Sequence, residues 1–292
     1  MASELAQYLL SGIAAGGIYA LIAVGFVTVY NVLGIINFAQ GEFAMFGALV
    51  ASSLVTRGVP LLAAASLAVV ITAALGAAVE RTVLAPAARS SEVVRIIITI
   101  GVSIALRGLA LTIWSSQSYA LPQFSRGAPI RVLGAALALQ NFWVLGVAAA
   151  VMVVLYLLFE RTVFGSALRA TVMARDASRL MGISPARMSL VAYTISAALG
   201  AIAGIVVAPI ALATYDMGIM LGLKGFVAAV LGGLVSAPGA VAGGLLLGVI
   251  ESFAAGLLSS GYRDAIAFAL LLVILTVRPT GLFPRTSAQR SV

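Results

Sequence analysis

Between residues 160 and 187 the chain reads ERTVFGSALRATVMARDASRLMGISPAR. In a protein otherwise built of long apolar runs, this is the longest polar, charge-rich passage. Wound as a helix, it places Ala170, Met173, Ala174, Ala177 and Leu180 at i, i+3, i+4, i+7 and i+10, one apolar stripe. Arg175, Asp176 and Arg179 fall on the other side, with the two arginines as i,i+4 neighbours. Gly182 stands where a helix C′ residue belongs, and Ser184-Pro185 reads as the N-cap and first position of a new helix. The passage is expected to form a short amphipathic helix in water between two membrane spans. Such a helix lies on a bilayer or docks on a soluble partner.

Composition sets the class. Of 292 residues, 62% are hydrophobic and 9% charged, and the mean hydropathy is +1.16. Soluble domains carry about 25% charge. Apolar runs of about 20 residues can each cross roughly 30 Å of hydrocarbon with their backbone hydrogen bonds closed internally. The fold class is therefore all-α, a polytopic transmembrane bundle of eight or nine spans, with one membrane domain over 1–292 and 160–187 as a polar loop between spans. Candidate spans lie at about 8–30, 41–57, 60–80, 93–114, 141–159, 188–213, 218–235, 239–258 and 262–278. The second, seventh and last are short.

Orientation follows from arginine, which supplies all but one of the 17 basic residues. Arg81 and Arg89, the five arginines of 160–187, Arg95, and Arg278, Arg285 and Arg290 of the tail share one side; Arg57, Arg126, Arg131 and Arg263 take the other. The positive-inside rule makes the first side cytoplasmic, so the N-terminus is expected outside and the C-terminus in the cytoplasm. The net charge of +8 thus reflects topology and does not point to nucleic acid. The opening MASELAQYLL lacks a basic n-region and does not read as a cleaved signal peptide.

Enzyme chemistry finds little support. The chain has no cysteine and no histidine, which removes disulfides, thiolates and the commonest metal ligand and general base. No Gly-x-x-x-x-Gly-Lys-Ser/Thr loop is present to hold nucleotide phosphates. No metal site, cofactor or catalytic residue is expected in this chain.

Two stretches interrupt the apolar pattern. In YNVLGIINFAQGEFAMFGA (30–48), Asn31, Asn37, Gln40 and Glu42 lie close to Gly34 and Gly41. Polar groups at membrane depth cost several kcal/mol unless paired, so the stretch is either a broken helix lining a translocation path or a cytoplasmic turn. In the turn reading, Asn37 caps and Glu42 sits at a helix N-terminus. The second stretch, KGFVAAVLGGLVSAPGAVAGGLLLGVIESF (224–253), is punctuated by Gly232-Gly233, Pro238-Gly239 and Gly243-Gly244. Close helix packing explains most of these glycines, while Gly232, Gly233 and Pro238 also suit a path-lining half-helix. Arg107, Lys224 and Glu251 fall within spans; snorkelling accounts for the two cations, and a Lys224–Glu251 pair is possible from similar depth. ERTV at 80–83 and 160–163, and Gly-Phe at 25–26 and 225–226, are internal echoes compatible with duplication.

Taken in order, the 160–187 passage, NFAQGEF, the Gly-rich unit and the closing RPTGLF resemble the shorter permease subunit of ATP-binding-cassette importers for branched-chain amino acids. The likeness runs from about Gly12 to Phe283, and it extends to urea and short-amide permeases that share the NFAQGE block. The resemblance implies a coupling helix at Phe164 to Ile183, with Phe164, Gly165, Ala170, Met173, Asp176, Ala177, Leu180, Gly182 and Ile183 at its positions. It implies ATP and Mg bound by separate ATPase subunits, a second homologous permease, an extracytoplasmic binding protein, and a place in the bacterial plasma membrane. A self-sufficient channel for a small polar solute is the alternative of a different class.

Overall fold

The computed structural model describes residues 2–132, 134–173, 178 and 180–283, with the backbone alone for Ala2, Phe164, Arg169, Val172 and Met173. Ten α-helices are described: α1 (Ala2–Leu33), α2 (Gln40–Thr56), α3 (Leu61–Val79), α4 (Glu92–Trp114), α5 (Leu139–Arg161), α6 (Val163–Met173), α7 (Pro185–Ala211), α8 (Met217–Gly232), α9 (Ala237–Leu257) and α10 (Arg263–Val277). Among the described residues the bundle is all-α apart from a small antiparallel hairpin, Ile130–Val132 with Ala135–Leu137, in the loop after α4, and a single bridge between Tyr119 and Ala213. Every expected span is present as a helix. Seven stretches are long and apolar enough to cross a membrane, α10 counting with the turn before it. The exceptions are α2 and α8, with 17 and 16 residues, each only about 25 Å long at 1.5 Å per residue.

Contacts between helix ends set the course of the chain. At the hairpin end, Ala136 exchanges two hydrogen bonds with the Gln7 side chain, Trp114 Nε1 donates to Ser53 Oγ, and Tyr119 pairs with Ala213. At the opposite, arginine-rich end, Ser189 meets Glu80 and Leu282 meets Leu231. The start of α1 and Phe283 therefore lie at opposite ends, as an odd number of passes requires.

Burial separates inner from outer helices. The most apolar window of α1 is 89% buried, against 17% for α5 and 11% for α10. One apolar cluster is built around Phe43, Met45 and Leu49 of α2 with Tyr193 of α7; the other joins Leu21, Ile22 and Phe26 of α1 to Val227 and Leu231 of α8. The two short helices are thus wrapped by protein, and the outer faces of α3, α4, α5 and α10 carry much of the exposed apolar surface. Its exposed Leu, Ile and Val side chains suit a membrane.

Small residues let the inner helices touch. Gly12 and Gly16 of α1 oppose Gly244 and Gly248 of α9, so closely that a Cβ on Gly16 would stand 2.6 Å from Leu245 Cα. Both pairs are Gly-x-x-x-Gly, the spacing that lets two membrane helices approach backbone to backbone. The glycines of the 224–253 stretch follow the same logic: Gly225 faces Ile22, and Gly243 faces the Ala228 carbonyl. Close packing accounts for Gly225 and Gly243.

Candidate functional site

The path between α1 and α2 is broken by six residues. Gly34 takes a positive φ of 67°, which glycine adopts without the Cβ clash other residues meet. The chain then runs through Ile35, Ile36 and Asn37 before α2 starts at Gln40. Arg95 Nη1 donates to Leu33 O at 3.1 Å, a guanidinium on the terminal carbonyls of α1. Thr99 Oγ1 accepts from Phe38 N at 3.2 Å. Since Thr99 is seven residues past Glu92, the break lies about 10 Å along α4. It is not the rim turn that one sequence reading expected.

Polar side chains from the break enter the core. Asn37, Gln40 and Glu42 are all but fully buried. Asn37 Oδ1 accepts from its own Ala39 N at 3.1 Å and from Tyr193 Oη at 2.6 Å. Gln40 Nε2 donates to Ser196 O at 2.9 Å, and the Ser196 hydroxyl lies between Gln40 Oε1 and Gly25 O. A Cβ on Gly25 would overlap Gln40 Nε2, so glycine there makes room for the amide. Glu42, in the first turn of α2, accepts from Ser103 Oγ at 2.9 Å and pairs with Arg107 Nη2 at 3.0 Å. Gly41 abuts Gly218 and Gly222 of α8, so the N-termini of both short helices converge beside this carboxylate, which their dipoles favour. Asn37 Nδ2 and Glu42 Oε2 are buried and make no hydrogen bond among the described residues.

A second ionic cluster joins α1, α8, α9 and α10. Lys224 Nζ lies 3.2 Å from Glu251 Oε1 and 2.7 Å from Asp264 Oδ1, and Tyr19 Oη donates to Glu251 Oε2 at 2.7 Å. Arg107 and Lys224 are therefore ion-paired to carboxylates; the snorkelling expected for them is replaced by partners in the protein. Among the described residues no group of acidic side chains is placed to hold a metal ion.

The remaining path candidates fall elsewhere. Gly232, Gly233 and Pro238 form the α8–α9 turn at the arginine-rich end, with Gly233 at φ 100°. Asn31 joins them, its Nδ2 donating to Val235 O at 3.4 Å. The RPTGLF segment docks on this turn: Leu282 N donates to Leu231 O at 2.8 Å and Phe283 N to Gly232 O at 3.3 Å. It thereby satisfies carbonyls that the end of α8 leaves open, a role that a motif match alone did not reveal. The seven candidates thus divide into a core group at the break and a turn group near the rim.

At the same end, α6 folds against the end of α5, where a Cβ on Gly165 would collide with Phe159 O. Leu168 and Thr171 of α6 face the bundle and Ala170 is half-buried. Asp176 and Ala177, with Ala174, Arg175 and Arg179, lie outside the described residues, as do the side chains of Phe164 and Met173. Beyond them, Ile183 N donates to Ser178 O at 3.0 Å and Gly182 has φ 79°, the Schellman closure that a glycine at C′ permits. Ser184 Oγ then caps α7, accepting from Arg187 N at 3.4 Å. Leu180 and Met181 are 90% and 82% exposed, next to an open depression lined by Gly182, Ile183, Ser184, Pro185 and Ala186.

Comparisons place these features among known proteins. Residues 8–275 match the family model described as branched-chain amino acid transport system / permease component. The high-affinity branched-chain amino acid transport system permease protein BraD of Pseudomonas aeruginosa is 34% identical over 298 residues, covering 97% of each chain. LivH, the permease protein of that name in Salmonella typhimurium, is 34% identical over 305 residues, and LivH of Escherichia coli K12 is 33% identical, again over 97% of each chain. Among solved structures, PsaBC from Streptococcus pneumoniae in complex with Fab aligns with a TM-score of 0.49 and 14% identity, over 95% of this chain and 91% of that one.

Proposed function

We propose that this chain, which belongs to the family of branched-chain amino acid transport permease components, lines the membrane path of an ATP-driven importer and is powered by a separate ATPase docked at residues 160–187. Its substrate is a branched-chain amino acid, as the names of BraD and LivH have it for those proteins. It works with a second, homologous permease and receives its ligand from a binding protein outside a bacterial plasma membrane. The N-terminus lies outside and the arginine-rich end in the cytoplasm. ATP and Mg are held by the ATPase subunits, and this chain needs no cofactor.

One observation carries the reading. Leu180 and Met181 stand almost fully exposed at the basic end, where charged loops face water. Large apolar side chains left in water beside a depression mark a contact surface, and a helix end of this kind suits a groove on a protein. Phe164, Gly165, Ala170, Met173, Asp176, Ala177, Leu180, Gly182 and Ile183 form the coupling element. The break at Asn37, Gln40 and Glu42 lines the path, with Asn31, Gly232, Gly233 and Pro238 at its cytoplasmic mouth.

Co-purification tests this. The chain, expressed with its ATPase, should retain it through detergent extraction, and Leu180→Glu with Met181→Glu should lose the ATPase without lowering Tm. An ATPase that stays bound to the double variant would overturn the docking site.

A further inference from the structure

One face of α7 carries Ser189, Tyr193 and Ser196, at i, i+4 and i+7, the spacing that stacks side chains along a helix. All three are buried, and each bonds to a different part of the bundle. Ser189 Oγ donates to Glu80 Oε1 at 2.8 Å, at the π-helical end of α3 (Glu80–Leu84). Tyr193 Oη donates to Asn37 in the α1–α2 break. Ser196 joins Gln40 of α2 to the Gly25 carbonyl of α1. Farther along, a Cβ on Gly204 would stand 1.8 Å from Ala44 O, so α7 and α2 are in backbone contact.

The foot of this ladder is the coupling segment itself. α7 begins at Pro185, immediately after the Gly182 closure, and its only internal proline is Pro209 at the far end. From Pro185 to Ser196 it is an uninterrupted rod about 16 Å long. The other helix entering the segment is α5. At the hairpin end Gln140 and Trp143 bond to other elements, and much of its surface faces outward.

We infer that Ser189, Tyr193 and Ser196 are positioning residues that transmit movement of the coupling segment to the α1–α2 break. The inference rests on the proposed docking of an ATPase at 160–187. A displacement of the foot of α7 pulls on Glu80, Asn37 and Gln40 together, because a packed helix moves as a body and its interfaces switch between discrete arrangements. The break is suited to exchange partners. Its links to α4 and α7 run through side-chain hydrogen bonds of Asn37, Gln40 and Glu42, which re-form with other partners when a helix shifts.

The test uses the complete importer in proteoliposomes, with the binding protein and radiolabelled leucine, reading leucine uptake and ATP hydrolysis together. Tyr193→Phe and Ser189→Ala should each lower uptake per ATP about fivefold or more, the lower bound of a typical coupling, while hydrolysis and Tm stay near wild type. Thr194→Ala is the control, since among the described residues that hydroxyl bonds Leu190 O of its own helix, and it should leave the ratio unchanged. Glu80→Gln keeps an acceptor for Ser189 and should behave as wild type, whereas Glu80→Ala should resemble Ser189→Ala. Wild-type uptake per ATP in Tyr193→Phe and Ser189→Ala overturns the ladder. Should Tyr193→Phe fold poorly, equal ratios in Glu80→Ala and Glu80→Gln overturn it. A wild-type importer that hydrolyses ATP without moving leucine would instead count against the proposed function.

Discussion

Lys224 of α8 and Glu251 of α9 meet at 3.2 Å, with side chains only 9% and 2% exposed. Tyr19 and Asp264 complete the group, so one cluster pins α1, α8, α9 and α10. Removing one partner of a buried pair strands the other charge, at about 3–5 kcal/mol. Lys224→Met, which strands Glu251, should lower stability by that order; Glu251→Gln should cost less, because Asp264 still pairs with Lys224; and the double variant should lose less than the sum. Thermal unfolding in detergent of the four proteins checks this; strictly additive losses would mean the two side chains do not interact.

Glycine contacts give a sharper contrast. At Gly204 a Cβ would overlap the Ala44 carbonyl, whereas at Gly101 of α4 nothing lies within 4 Å. Overpacking of this kind costs about 1–3 kcal/mol. Gly204→Ala should therefore lower Tm measurably and Gly101→Ala should not.

The docked tail offers a third check. Gly281 has φ 82°, and a Cβ there would stand 2.5 Å from Gly233 N. Gly281→Val should release the segment that caps α8 and cost about 1–3 kcal/mol, the desolvation penalty of carbonyls left unsatisfied. Limited proteolysis should then cut near residue 281 in the variant before the wild type. Equal protection in both would show that the tail adds nothing to the bundle.

Orientation can be read directly, because the chain has no cysteine of its own. Leu180→Cys and Tyr262→Cys introduce single thiols at exposed positions at opposite ends of the bundle. An impermeant maleimide added to intact cells should label Tyr262→Cys and spare Leu180→Cys until the membrane is opened. The reverse pattern would invert the topology.

Much of this architecture was legible in the sequence, and the gaps have physical causes. Apolar run lengths located the helices, and Gly182 with Ser184-Pro185 announced a closure and a cap because those residues have few other uses at such positions. Similar depth along the chain raised the Lys224–Glu251 pair as one reading beside snorkelling, while Asp264 and Tyr19, which complete the group, gave no sign of it in the sequence. The partner of Arg107 was hidden: Glu42 is 65 residues away, and a lone arginine near a helix end reads equally well as snorkelling. Ser189, Tyr193 and Ser196 were not singled out, because in an apolar helix they become a ladder only once Glu80, Asn37 and Gln40 are known to face them. Nor does a 3.6-residue period say which of several apolar helices is central. The depth of the α1–α2 break therefore emerged only from the packing of Thr99, Tyr193 and Ser196 around it.

The central claim is that this chain supplies a path and draws its power from elsewhere. Its most direct test is uptake of radiolabelled leucine into proteoliposomes holding the chain alone, or with its partner permease, ATPase and binding protein, with and without ATP. Accumulation is predicted only for the complete set with ATP. Leucine entry through the chain alone, in vesicles free of nucleotide, would contradict the account.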